Sequence, residues 1–150
     1  MVVCTICGYK HYPHSSNHEN PCSGSVAPTA GTRLRMIRTL IDLLRSARLD
    51  LSNEKRAQAD VEVVLMRSGI SFEREVRLTD ADIVDFMVGG IAIEIKLRGA
   101  KKKEVYRQLC RYARHERVES LLLASNMSMG LPAVIDGKDA YFVKLGEAWL

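Results

Sequence analysis

The most regular pattern in the chain lies in residues 82–97, where two short apolar-rich runs flank Gly89-Gly90. A two-glycine connection suits the tight turn of a β-hairpin. With the turn at these glycines, Asp85 on one strand lies opposite Glu94 on the other. Directly opposed side chains of an antiparallel pair have Cβ atoms about 5 Å apart, so the pattern predicts that these two acids meet on one surface.

The second strand of the hairpin adds a cation to this surface. Side chains alternate between the two faces of a strand, so Glu94 and Lys96 share one face. We therefore expect Asp85, Glu94 and Lys96 to cluster in front of an apolar wall. That wall consists of Ile91, Ile93, Ile95 and Leu97.

Such a cluster has a specific chemical meaning. Two neighbouring carboxylates repel each other unless a cation lies between them or one of them is protonated. Carboxylate oxygens are ligands that suit Mg²⁺ or Mn²⁺, and a nearby lysine can orient a metal-bound water or stabilise a phosphate. The cluster therefore indicates a divalent-metal site. The alternative is a cross-strand acid pair on a solvated face, where Lys96 relieves the repulsion.

Helical periodicity lies on both sides of the hairpin. A first helix is expected from Thr32, its N-cap, and a second over residues 53–67, where Ser68-Gly69 is the stop signal. A third helix is expected from about Ala100 to His115. The inner face of the first helix consists of Leu34, Ile37, Ile41 and Leu44, and that of the third of Val105, Leu109, Tyr112 and Ala113.

Further strands are predicted over residues 71–78, where Phe72, Arg74 and Val76 would share a side, and over residues 118–125 and 140–145. The order is then helix, helix, three strands, helix, two strands. This order predicts an α/β fold, with helices on the faces of a central mixed sheet. Trp149 is expected to fill a place in the core.

Composition and charge limit the number of domains and the kinds of partner that can be expected. The chain has 150 residues, 47% of them hydrophobic, which suffices for one compact domain with an appendage. The formal net charge of +4 permits binding to a polyanion without requiring it. No apolar run approaches the length of about 20 residues that spans a membrane, and the N-terminus lacks the apolar core of a signal peptide. We therefore expect a soluble, cytoplasmic protein without a membrane partner.

Residues 1–24 differ from the rest of the chain because they are rich in cysteine and histidine. Their spacing, C-x2-C followed by H-x3-C, is typical of zinc-finger or zinc-knuckle sites. A bound Zn²⁺ would supply folding energy that so polar a segment cannot gain from burial. The expected ligands are Cys4, Cys7, His18 and Cys22, and His14 or His11 could replace His18.

Two alternatives to zinc remain for residues 1–24, namely a disordered His-rich tail and an iron–sulfur cluster that recruits Cys110. Residues 25–31 are small and include a proline, which is typical of a linker. The main domain is expected over residues 32–150.

Basic residues cluster at two places. Three lysines occupy the start of the third helix, where cations oppose the helix dipole. A phosphate-facing helix start would explain them, although a solvated lysine run is the alternative. Five arginines of the first helical region form either a solvated face or a DNA-contacting face. These residues are Lys101, Lys102 and Lys103, and Arg33, Arg35, Arg38, Arg45 and Arg48.

Several of these residues also form an ordered set of motifs. A glutamate on the second helix, an aspartate and an E-x-K triplet on the hairpin, and Q-x3-Y on the third helix follow one another. This set resembles the PD-(D/E)xK nuclease superfamily over about residues 52–125. Val84 stands where the motif name has proline. The motif residues are Glu54, Asp85, Glu94-Ile95-Lys96, Gln108 and Tyr112.

Within that superfamily the chain looks most like small phage and prophage nuclease-like proteins, and Q-x3-Y is similar to the RecB-type branch. The resemblance implies a restriction-endonuclease-like core and Mg²⁺- or Mn²⁺-dependent hydrolysis of phosphodiester bonds in DNA, in the host cytoplasm if the protein is phage encoded. A homodimer would favour a junction resolvase. The alternatives are a catalytically inactive nuclease-fold module that binds nucleic acid or a partner protein, and a zinc-dependent regulator.

The resemblance also implies a role for each matching residue. Asp85, Glu94 and the Ile95 carbonyl would hold the metal ion, and Glu54 would support it or a second ion. Lys96 would position the attacking water, while Gln108 and Tyr112 would orient DNA or the lysine. The expected DNA contacts are Lys101, Lys102, Lys103, Arg107 and Arg111.

Overall fold

The structure is a computed structural model that describes residues 29–150 and two short segments near the N-terminus, Val2–Val3 (β1) and Lys10–His11 (β2), which pair antiparallel. The predicted zinc site falls outside the described residues and stays a prediction. The side chains concerned are those of Cys4, Cys7, His11, His14, His18 and Cys22.

Residues 29–150 form the expected α/β architecture. Three helices flank a six-stranded sheet, and a short 3₁₀-helix follows at Glu147–Trp149. The helices are α1 (Ala30–Ser46), α2 (Glu54–Arg67) and α3 (Lys102–Ala113), and the strands are β3 (Glu73–Arg77), β4 (Ile83–Val88), β5 (Ile91–Lys96), β6 (Ser120–Ser125), β7 (Val134–Ile135) and β8 (Lys138–Lys144).

The sheet is mixed, as predicted. Its strand order is β3-β4-β5-β6-β8-β7, in which β3, β4 and β5 form an antiparallel meander and β6 lies parallel to both β5 and β8. The hairpin turns at Gly89-Gly90, with Val88 opposite Ile91 and Phe86 opposite Ile93. This is the predicted register, because the turn dipeptide fixes how the two strands pair.

The sheet has a hydrophobic core on each face. Helices α1 and α2 cover one face through residues such as Leu40 and Val61, and α3 covers the other through Leu109 and Tyr112. Strand β6 lies at the centre, and all six of its residues are buried. In the described part of the chain, no helix combines the length and the apolar character needed to cross a bilayer.

Helix α1 begins earlier than predicted. Its N-cap is Thr29, whose hydroxyl accepts the backbone N–H of Thr32 at 3.4 Å, so Thr32 lies inside the first turn. The buried stripe is also rotated, because Leu40 is buried while Leu34 is 40% exposed. Helix α2 agrees with its prediction, and its N-cap is Asn53.

The C-terminal part contains a second hairpin that the hydrophobic pattern did not predict. Strands β7 and β8 pair around Asp136-Gly137, and both turn residues have positive φ angles, 44° and 79°. The Asp-Gly dipeptide is itself a signal for such a turn. Trp149 is not a core residue as predicted. The residue is 60% exposed. Its ring lies under the Arg48 guanidinium and donates its N–H to the Leu49 carbonyl at 3.1 Å.

Candidate active site

The two strands that carry the acids separate where the acids begin. Main-chain pairing between β4 and β5 ends at Phe86 and Ile93, one step short of the predicted pair of Asp85 with Glu94. Beyond this point, the Asp85 carboxylate accepts the backbone N–H of Ile95 through Oδ2 at 2.8 Å. At this position the Asp85 side chain, in place of the β4 main chain, is the hydrogen-bond partner of β5.

A change of face in β4 accompanies this separation. Phe86 packs in the core beneath α1 and α2, whereas Val84, two residues away, packs in the core beneath α3. Residues two apart in a regular strand share a face, so β4 twists at Asp85.

Strand β3 changes face at the matching position. Arg74 lies over the Phe86 ring at 5.4 Å, while Val76 packs in the core beneath α3. The intervening residue, Glu75, has a φ of 50°, which L-residues other than glycine rarely adopt. The prediction that Phe72, Arg74 and Val76 share one side is therefore wrong for Val76.

Glu94 lies at the centre of the site, with only 2% of its surface exposed. Its Oε1 atom lies 2.9 Å from the Lys96 ammonium and accepts the Gln108 side-chain amide at 3.0 Å. Its Oε2 atom lies 3.2 Å from the Tyr112 hydroxyl. The fold thus brings the predicted residues of β5 and α3 into one network.

The Tyr112 hydroxyl has a single proton to share in this network. It lies 2.6 Å from the Ile83 carbonyl and 3.2 Å from Glu94 Oε2. The shorter contact directs the proton mainly toward the Ile83 carbonyl, so Tyr112 donates only weakly to Glu94 Oε2. This oxygen therefore keeps lone-pair capacity for a cation when Glu94 is ionised.

The electrostatics of the carboxylates follow from this burial. Burial, followed by the charge of Asp85, raises the pKa of Glu94 to about 7. Burial also raises the pKa of Asp85, although the N–H of Ile95 opposes the rise. Burial would lower the pKa of Lys96, but the charges of Glu94, Glu54 and Asp85 outweigh it and raise that pKa.

Helix α2 supplies two polar side chains to the site. Glu54, its first residue, lies 3.8 Å from the Lys96 ammonium through Oε2. One turn later, Gln58 donates its side-chain amide to Asp85 Oδ1 at 2.8 Å. Sequence reasoning missed Gln58, although its spacing of four residues from Glu54 puts both on one helix face.

An open cleft leads to this cluster. It has a volume of about 530 Å³, and Glu54, Lys96 and Gln108 line it where α2 and β5 approach α3. Of the predicted DNA contacts, Lys101, Arg107 and Arg111 also line the cleft. Lys102 and Lys103 are exposed but lie outside its lining.

The basic residues of the cleft differ in their pairing. Arg111 forms an ion pair with the buried Asp82 at 2.8 Å, and Lys101 lies 3.4 Å from Glu104 one turn along the helix. Arg107 forms no ion pair with a residue of the range 29–150, so its charge is directed to solvent and to whatever enters the cleft.

The donor set has the chemistry of a small divalent-cation site. Each carboxylate oxygen has two lone pairs, and each Asp85 oxygen accepts one hydrogen bond. Since a strand residue directs its N–H and C=O toward the same neighbour, the Ile95 carbonyl faces Asp85 as well. Within residues 29–150 no three His, Cys, Asp or Glu side chains form a group that could hold a metal, so a cation here depends on two carboxylates, a carbonyl and water. Mg²⁺ commonly binds in that way.

Comparisons with protein-family models, with curated proteins and with solved structures find no match to this chain.

Proposed function

We propose that this chain is a divalent-metal-dependent DNA nuclease with a restriction-endonuclease-like core, which hydrolyses phosphodiester bonds. One observation carries the proposal. Asp85, Glu94 and Lys96 converge where β4 and β5 separate. Beside them, the cleft exposes Arg107, a cation that has no ion-pair partner among residues 29–150. Acids that would hold a metal thus lie beside a cation that would hold a phosphate.

The metal would be Mg²⁺ or Mn²⁺, held by Asp85, Glu94 and the Ile95 carbonyl. When bound, such an ion polarises the phosphate and lowers the pKa of a coordinated water. The chemistry of the site favours this role, because burial and then the charge of Asp85 raise the pKa of Glu94, and a bound cation would relieve that repulsion. Glu54 lies near enough to Lys96 to add to the same negative field.

Lys96 would act as a cation and hydrogen-bond donor. Its pKa is raised by the surrounding carboxylates, so the ammonium keeps its proton at neutral pH. A protonated lysine cannot accept the proton of the attacking water. It can orient that water and offset the negative charge that builds on the phosphate during in-line attack.

The remaining polar residues would keep the acids in place. Gln58 holds one oxygen of Asp85, and Gln108 holds one oxygen of Glu94. Tyr112 keeps its proton, since burial and the charge of Glu94 raise its pKa. These side chains restrict the rotation of both carboxylates, which lowers the entropic cost of assembling the site.

The test is cleavage of supercoiled plasmid, linear duplex, single strand and four-way junction in Mg²⁺, Mn²⁺ or EDTA. Wild type is compared with Asp85→Ala and Lys96→Ala. The activity of each variant is expected to fall by about 100-fold or more, because the negative charge of the phosphate in the transition state is no longer stabilised. Asp42→Ala is the matched control, since Asp42 is an exposed acid of α1.

The outcomes separate the proposal from its alternative. Metal-dependent cleavage that both variants lose and the control keeps supports the nuclease, and the best substrate identifies its type. If folded wild type binds DNA without cutting any substrate, and Asp85→Ala binds equally well without need of Mg²⁺, the nuclease proposal fails. The inactive nuclease-fold module then takes its place.

A further inference from the structure

A second cleft continues from the first on the other side of Glu54. It has a volume of about 350 Å³ and shares Glu54 and Ala100 with the first cleft. Its lining includes Arg98 and Asn126, and neither residue lines the first cleft. The two clefts therefore meet at Glu54, which lies 3.8 Å from the Lys96 ammonium of the site, and together they form one track.

Each end of this track has an arginine of its own. Arg107 belongs to the first cleft and Arg98 to the second. Over residues 29–150, neither forms an ion pair, whereas Arg111 and Lys101 are paired with nearby carboxylates. Two guanidinium groups that form no ion pair within residues 29–150 thus lie on either side of Glu54.

The main chain at Arg98 is held in place while its side chain is exposed. The backbone N–H of Arg98 donates to Asn126 Oδ1 at 2.6 Å. The next residue, Gly99, has a φ of 109°, and the N–H of Ala100 closes the turn on the Leu97 carbonyl at 3.2 Å. A fixed backbone lowers the cost of ordering the guanidinium on a ligand.

Asn126 adds a second donor at this end. Its Oδ1 atom is occupied by the N–H of Arg98, while its amide NH₂ forms no hydrogen bond to another described residue. In the described part of the chain, neither this NH₂ group nor the Arg98 guanidinium has an acceptor, and both residues line the second cleft. A phosphate group, with several strong acceptor oxygens, matches that pair.

We propose that Arg98 and Arg107 bind backbone phosphates of one nucleic-acid strand on opposite sides of the bond that the site cleaves, with Asn126 assisting Arg98. This inference rests on the proposed function for the identity of the central site. The phosphate contacts themselves need only that the chain binds a nucleic acid. The bound nucleic-acid strand can be a single-stranded molecule or one strand of a duplex.

The first test is binding of labelled 20-nucleotide single strands and duplexes in EDTA, where cleavage is stopped. Arg98→Ala is expected to lower affinity by about tenfold and to reduce the salt slope by about one. Asn126→Asp keeps the acceptor for the Arg98 N–H and replaces the donor with a negative oxygen, so it is expected to weaken binding also. Arg67→Ala is the matched control, since Arg67 is exposed at the other end of α2, about 20 Å along the helix from Glu54.

The second test locates the contacts along the strand. Each oligonucleotide carries one uncharged methylphosphonate linkage, moved stepwise across the site. In wild type, one position on each side of the cleaved bond is expected to weaken cleavage in Mg²⁺ and binding in EDTA. Arg98→Ala is expected to lose sensitivity at one of these positions and Arg107→Ala at the other.

The results separate this inference from the proposed function. If both variants become insensitive on the same side, or neither does, the two-sided track is overturned. If wild type binds but does not cut, the nuclease proposal fails, and the same scan read out by binding still decides the two-sided contact. Absence of binding to either form of DNA overturns both.

Discussion

The carboxylate of Asp85 and the backbone N–H of Ile95 are joined by a hydrogen bond of 2.8 Å. This bond lies where the main-chain pairing of β4 and β5 has ended. From α2, Gln58 donates its side-chain amide to the second Asp85 oxygen. The geometry of the candidate site is thus a property of strand pairing as much as of its side chains.

A first prediction concerns the pH dependence of stability without metal. The pKa of Glu94 is about 7 in the folded protein and 4.5 as an ordinary glutamate. The raised pKa means that the folded state favours the protonated form. The associated stability is fully present below pH 4.5 and is lost as the pH rises through 7.

We therefore expect wild type in EDTA to unfold more easily at pH 8 than at pH 5. Glu94→Gln is expected to reduce this difference by on the order of 1–3 kcal/mol, because its amide is neutral at both pH values and can donate to Tyr112. Urea unfolding of both proteins at each pH measures the effect. Equal pH dependence in the two proteins would contradict the assigned Glu94 pKa.

A second prediction concerns Gln58, whose amide holds Asp85 Oδ1. Gln58→Ala frees that carboxylate, so the Mg²⁺ concentration for half-maximal cleavage is expected to rise by about tenfold or more. Titration of activity with Mg²⁺ provides the measurement. Lys55→Ala, an exposed change on the same helix, is expected to leave the midpoint unchanged. An unaltered midpoint in Gln58→Ala would show that the amide does not position Asp85.

A third prediction concerns the backbone at Glu75, where φ is 50°. Glycine adopts this region freely and alanine does not, so Glu75→Gly is expected to be more stable than Glu75→Ala by about 1 kcal/mol. Arg77 has no positive φ and is an exposed position of the same strand. At Arg77 the order is expected to reverse, with glycine less stable than alanine. Chemical unfolding of the four variants measures both differences, and the same order at both positions would refute the backbone explanation.

A fourth prediction concerns the hydroxyl of Tyr112, which donates to the Ile83 carbonyl at 2.6 Å. In Tyr112→Phe, the Ile83 carbonyl and one side-chain N–H of Gln108 lose the hydroxyl as their hydrogen-bond partner. Both groups lie beside the buried ring of residue 112. We expect a loss of about 1–3 kcal/mol in the free energy of unfolding. Tyr106→Phe, on the exposed side of α3, is expected to change stability by less than about 0.5 kcal/mol. A similar loss in both variants would show that the buried hydroxyl has no special role.

The parts of the fold that local rules determine could be predicted from the sequence. The turn at Gly89-Gly90 determined the hairpin register, and the inner face of α3 followed from spacing, including Tyr112. The approach of Glu94 to Lys96 followed from alternation along one regular strand.

The remaining features depend on contacts between distant segments. Nothing in the sequence around Glu75 and Asp85 marks the change of face, because that change requires an unfavourable backbone angle compensated by packing on both faces of the sheet. Gln58 is equally inconspicuous, since its partner is Asp85 on another element. The β7–β8 hairpin is different, because Asp136-Gly137 is a local signal that the hydrophobic pattern obscured.

The contacts of Glu94 also affect the motions of the protein. Two side chains of α3, Gln108 and Tyr112, contact its carboxylate, so detachment of α3 would expose this group to water. Detachment of α3 would then lower the pKa of Glu94. Because the detached form favours ionised Glu94, detachment becomes easier as the pH rises through 7. Amide hydrogen exchange in α3, corrected for the intrinsic rate at each pH, therefore reports the charge of the site. In EDTA, protection of the α3 amides is expected to fall as the pH rises toward 8. When Mg²⁺ replaces the proton at Glu94, that protection is expected to return.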